Sequence, residues 1–148
     1  MVHALEEIHR LVKPTGILID IHPVAEASPI EIHQGEKIEP VGDLSIRQWC
    51  SDYQHADDAL TEIKQRGLFR VEREGMFNSL TYYDSVAEMR ADWKAAIDKF
   101  ARDAQPIDES VSHAEAMAAR AEELMQTAAS GTELIVRERV HVSRLKPI

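Results

Sequence analysis

Asp20 and His22, two positions apart in an apolar stretch, are the first residues whose types and spacing could do chemistry. An imidazole titrates near neutrality, so His22 could serve as a general base. A base needs an orienting partner, and the sequence alone supplies none. A histidine that caps a strand and bonds to backbone is the favoured reading. If the next segment folds back, His33 would approach His22, and Asp20 or Glu31 could complete a metal site. The seven histidines and single cysteine contain no His-x-x-x-His, His-Glu-x-x-His or paired-cysteine spacing, so no metal is expected. Met76, Phe77, Tyr82, Tyr83 and Trp93 form an aromatic and methionine cluster that could line an apolar pocket. Such a cluster is more often simply core. Cys50, beside Trp49, reads as a small semi-buried hydrophobe, and Arg137-Glu138-Arg139 as a solvated strand face or an interface.

These residues must be positioned by regular elements. Met1, Leu5, Ile8, Leu11 and Val12 recur at helical spacing, and Lys13-Pro14-Thr15-Gly16 stops that helix. Gly16 is expected to supply positive φ there. Ile17-Leu18-Ile19-Asp20-Ile21 is then apolar on both faces apart from Asp20, the pattern of an interior strand covered on both sides. Residues 29 to 46 read as a β-hairpin turning at Gly35-Glu36, with a break at Pro40. A helix is expected from Ser51 or Asp52, with Ala56, Ala59, Leu60 and Ile63 inward and Gly67 as its cap. Leu68 to Arg73 alternates as a half-buried strand, and Met76 to Tyr83 is expected to pair back against it.

Two helices follow. Ser85 and Glu88 form a capping box ahead of the stripe Val86, Met89, Trp93, Ile97 and Phe100. Pro106 separates this helix from one starting near Asp108, with Val111, Ala114, Ala118, Ala121 and Met125 on one face and Gly131 at its end. The alanine-rich face suits a close antiparallel helix pair. Leu134 to Ser143 closes the pattern as an alternating strand with one wet face, that of Arg137, Arg139, His141 and Ser143. No linker interrupts the 148 residues, so a single domain over 1–148 is the economical reading.

Composition narrows the function classes. The chain is 44% apolar, enough for a core, and carries 26 acidic against 17 basic residues for a net charge of −9. Scattered basic residues on an acidic chain suit neither DNA nor RNA phosphates, so no nucleic-acid partner is expected. No apolar run approaches the roughly 20 residues of a membrane span, and the acidic N-terminal stretch does not suit a signal peptide. One cysteine excludes an internal disulfide framework. These features give a cytoplasmic protein with no membrane partner.

Residues 4 to 22, a helix followed by Lys13-Pro14-Thr15-Gly16 and an apolar strand, resemble the helix and fifth strand of class I S-adenosylmethionine-dependent methyltransferases. The resemblance implies an α/β or α+β fold: a partial Rossmann-like sheet with a β-hairpin and a two-helix insertion. Ile17 to Ile21 would be the fifth strand and Leu68 to Arg73 the sixth. Leu134 to Ser143 would be the seventh, antiparallel between them. It further implies that the cofactor-binding half lies upstream. The six glycines, at 16, 35, 42, 67, 75 and 131, make no Gly-x-Gly turn, and no acidic residue matches the family's ribose ligand. No cofactor is therefore expected for the chain alone. By position, Asp20 and His22 would face substrate.

Two functions follow from that resemblance. One is a non-catalytic interaction or oligomerisation domain, expected to be a homodimer because the fifth strand without the fourth leaves an open apolar edge. The other is the substrate-binding half of a methyltransferase, completed by a separate N-terminal part that brings S-adenosylmethionine. Asp20, His22, Phe77, Tyr82, Tyr83 and Trp93 would then line the substrate pocket.

Overall fold

The computed structural model describes the backbone of residues 1–45, 47–100 and 108–148, with side chains apart from 47–50, 99–100 and 108–110. The side chains of Cys50 and Phe100 and the break at Pro106 lie outside what is described. Among those described are four helices, α1 (Val2–Leu11), α2 (Arg47–Gln65), α3 (Val86–Phe100) and α4 (Asp108–Gln126). Five strands accompany them: β1 (Leu18–Pro23), β2 (Ser28–Gln34), β3 (Lys37–Leu44), β4 (Phe69–Tyr83) and β5 (Glu133–Pro147). The fold is mixed α+β. Strand β5 pairs with β1, β2 and β4, and β2 also pairs with β3. Thus β5 joins both β1 and β4, as expected for segments 134–143, 17–21 and 68–73.

The chain forms two compact units, and β4 and β5 contribute residues to both. The first comprises residues 1–25, 49–78 and 139–148. In it, β1 runs antiparallel to β5, with Leu18 opposite Leu145, Asp20 opposite Ser143 and His22 opposite His141. Arg144 Nε lies 3.1 Å from Glu72 Oε2, and the Ile148 amide donates to the Leu68 carbonyl at 3.0 Å, so β4 also runs antiparallel to β5. The core is Leu5, Ala59, Leu60, Ile63, Phe69 and Leu145, with Val2, Val12, Leu18 and Leu68 packed on it. Helix α2 buries Ala56, Ala59, Leu60 and Ile63, as its spacing predicts. It ends in a Schellman motif: the Gly67 amide donates to Lys64 and the Leu68 amide to Ile63, both at 3.0 Å, with Gly67 at φ 71°. Helix α1 stops because Val12 turns extended.

Three expectations for this unit need correction. Gly16 is absent from the positive-φ glycines; its role is close approach, since a Cβ there would meet Val12 Cγ2 at 2.7 Å. The strand at 17–21 is not covered on both faces, for Ile17, Ile19 and Ile21 are 45, 48 and 60% exposed. Residues 69–83 are one strand rather than a pair that turns back, because Gly75 does not take the positive φ of a tight turn.

The second unit comprises residues 26–48 and 79–138. Strands β2 and β3 form the expected hairpin, joined through Gly35 at φ 60° and Glu36. Pro40 does not break β3; the register shifts opposite it, with Ile30 facing Gly42 and Glu31 facing Pro40. That leaves Val41 as the extra residue of a bulge. Strand β2 also pairs with the start of β5, Ile30 opposite Val136 and Ile32 opposite Leu134. Ser85 Oγ accepts the Glu88 amide at 3.1 Å, while Glu88 Oε2 accepts the Asp84 amide at 2.8 Å. The capping box therefore closes one residue earlier than the pattern predicts. Met89, Trp93, Ala114, Ala118 and Ala121 are buried, whereas Val111 is exposed. Gly131 does not end α4; the helix stops at Gln126, and Gly131 turns the chain into β5 at φ 84°.

Candidate functional site

The chemistry-bearing side chains that the structure gathers most closely lie in the first unit. Strand alternation puts Asp20 and His22 on one face of β1, and the register with β5 adds Ser143 and His141 to that face. The face expected to be the wet side of β5 is therefore its inner side here: Ser143 and Leu145 are buried and His141 is half-buried. Covering this face with α2 brings in Asp57, one residue after the buried Ala56.

His22 is 8% exposed and has a carboxylate on each ring nitrogen. Its Nδ1 faces Asp20 Oδ2 at 2.7 Å, and its Nε2 faces Asp57 Oδ1 at 2.9 Å. The His22 and His141 rings meet edge to face, their centroids 5.4 Å apart. One ligand atom from each of Asp20, His22 and His141 lies within 4.8 Å of the other two. His141 Nε2 sits 3.9 Å from Glu74 Oε2, beyond hydrogen-bond length. His141 Nδ1 and Ser143 Oγ are buried without a hydrogen-bond partner.

The orienting partner that the sequence does not reveal for His22 is therefore present twice over. With both nitrogens engaged, the ring cannot take a substrate proton unless it releases a carboxylate, and Asp57, at 39% side-chain exposure, is the more accessible of the two. The arrangement suits a ring held in place or a metal ligand better than a free base. Asp57 and His141 escape a reading of the sequence because each needs tertiary placement. The available signals were faint: a carboxylate beside the apolar stripe of α2, and a histidine between Val140 and Val142.

The aromatic candidates are dispersed. Phe77 is exposed on the β4 segment of the first unit, while Tyr82, Tyr83 and Trp93 belong to the second. Tyr82 is exposed. Tyr83 Oη donates to Asp92 Oδ2 at 2.7 Å, and burial, followed by that bond, pushes its pKa upward and keeps it protonated. Trp93 is core, yet it also borders a cleft of about 200 Å3 shared with Arg90, Lys94, Val111 and Ala114. The other metal candidates are His33 and Glu31, in the second unit; His33 Nε2 donates to Glu31 Oε2 at 2.9 Å, and Arg137 bonds the other oxygen of that carboxylate. Among the described residues no helix is long and apolar enough to cross a membrane. No family model, curated protein or solved structure matches the chain in comparisons with known proteins.

Proposed function

We propose that this chain is a methyltransferase-related interaction domain, with no cofactor-binding motif of its own, that forms a homodimer through the outer edge of β1. The observation that carries the reading is that edge. β1 is hydrogen-bonded to β5 on one side and ends the strand order on the other, among the described residues. Ile17, Ile19 and Ile21, on the sheet face beside that edge and opposite to that of Asp20 and His22, are exposed. An apolar strand with a free edge is a template for another strand, and two copies related by a twofold axis pair such edges antiparallel. The order β1–β5–β4 supports the kinship, because it repeats the fifth–seventh–sixth arrangement that the resemblance implies. The acidic charge of −9 and the single cysteine favour a cytoplasmic protein without a nucleic-acid partner.

Light scattering coupled to size exclusion tests this reading. We expect a dimer that Ile21→Lys converts to a folded monomer; a wild-type chain that stays monomeric at every concentration overturns it. The same edge favours a second reading, in which a separate methyltransferase N-terminal part lays its fourth strand on β1 and contributes S-adenosylmethionine. Asp20 and His22 would then serve substrate. Calorimetric titration with S-adenosylmethionine and S-adenosylhomocysteine tests the premise the two share: both expect no heat from the chain alone, and binding by the chain alone overturns the absence of a cofactor site.

A further inference from the structure

We infer that Asp20, His22 and His141 form a binding site for a first-row divalent cation of the zinc type. Two imidazoles and one carboxylate are a ligand set that zinc takes with three protein donors, leaving a fourth position for water or another ligand. Three observations converge on this face of the sheet. The three donor atoms already cluster within 4.8 Å. A tetrahedral zinc site spaces its donors about 3.3 Å apart, so modest side-chain adjustments separate the present arrangement from a coordinated one.

The second observation is the pattern of satisfied and unsatisfied nitrogens. His141 Nδ1 is buried with no partner, and buried polar atoms are rarely left so. Ser143 Oγ, on the same strand face and opposite Asp20 in register, is buried and equally unmet. Both point to a group that the polypeptide alone does not supply. The third observation is the outer ring of carboxylates. Histidines that bind metal through one nitrogen characteristically donate the other N–H to a carboxylate, which fixes the ring and raises its basicity. His22 Nε2 meets Asp57 at 2.9 Å, and His141 Nε2 points toward Glu74 at 3.9 Å. Each ring thus turns Nε2 to a carboxylate. The remaining nitrogens are His22 Nδ1, which faces Asp20, and the orphaned His141 Nδ1. The cation takes the place of the proton between His22 Nδ1 and Asp20, and His141 Nδ1 completes the trio.

The harder ions magnesium and calcium prefer all-oxygen shells, so a set with two imidazoles selects against them. The site does not depend on the methyltransferase kinship or on dimer formation, since all its residues lie in one unit of one chain.

Titration of the purified chain with Zn2+ in competition with a chromophoric chelator, and with Co2+ followed by visible absorption, tests the inference. We expect uptake of one equivalent and intense tetrahedral Co2+ bands. His141→Ala should weaken binding by at least about 100-fold, and Asp57→Asn by about 10- to 100-fold through loss of the orienting carboxylate. His22 lies deeper, so if His22→Ala fails to fold, His141→Ala at unchanged circular dichroism carries the test. No uptake by the folded wild type overturns the site. So does wild-type affinity in the folded His141→Ala variant, because the metal would then sit on other histidines.

Discussion

Glu31 and Glu138 show how single residues set the response of this fold to pH. Burial opposes ionisation of Glu31 most strongly, yet hydrogen bonds from His33 and Arg137, backed by their charges, outweigh it and hold its carboxyl below the ordinary 4.5. Its stabilising contribution is complete above 4.5 and is lost as pH falls through the lowered value. Glu138 has the opposite sign: burial raises its pKa, so its contribution is complete below 4.5 and is lost as pH rises through the raised value. We expect Glu31→Gln to cost about 1–3 kcal/mol at neutral pH, by leaving Arg137 and His33 without a charged acceptor, and to shrink that cost in acid. Glu138→Gln should stabilise at neutral pH by less than about 1 kcal/mol, because solvent screens a half-exposed carboxyl, and should do nothing in acid. Denaturant melts of both variants at pH 4 and 7 check the two signs. None of this is legible in the sequence. Glu31 is one acid among 26 acidic residues until the β2–β5 register sets β2 beside the strand that carries Arg137.

At the scale of elements the sequence is far more readable, and the reason is local physics. The stripe of α2, the Gly67 cap, the Ser85 capping box and the Gly35 turn each follow from residues within a few positions, and each is present. Readings that required knowing what lay across the sheet failed. Met76 to Tyr83 reads as a strand that pairs back and instead continues one long strand; His141 and Ser143 resemble a wet face and are turned inward. Gly67 gives the sharpest test at this scale. A Cβ there meets nothing within 4 Å, so the cost of Gly67→Ala comes from its φ of 71° alone. We expect a loss of about 1 kcal/mol, read from the denaturant midpoint. Gly131→Ala, at φ 84° in a turn that caps no helix, offers a comparison for the same backbone cost.

For the whole molecule, the isoleucines at 17, 19 and 21 are the least expected of its exposed apolar side chains, because they come from the run that reads as an interior strand. Phe69, Ile63 and Leu145 are almost fully enclosed, while Ile17, Ile19 and Ile21 on the same unit are not. If dimer formation covers them, stability is linked to association, and the thermal midpoint of the wild type should climb with protein concentration while that of Ile21→Lys should not. The apolar run was legible from sequence; its exposure was not, because burial depends on which strands and helices are present to cover it. The shared strand β5 has a consequence of another kind. Every partner of β5 precedes it in the chain, so during translation β1, β2 and β4 must all wait, edges open, until residues 133–147 emerge from the ribosome. Pairings this distant in sequence close slowly. The nascent protein therefore passes through a stage in which both units are incomplete at once, and that interval, more than the finished fold, is when open strand edges expose it to aggregation.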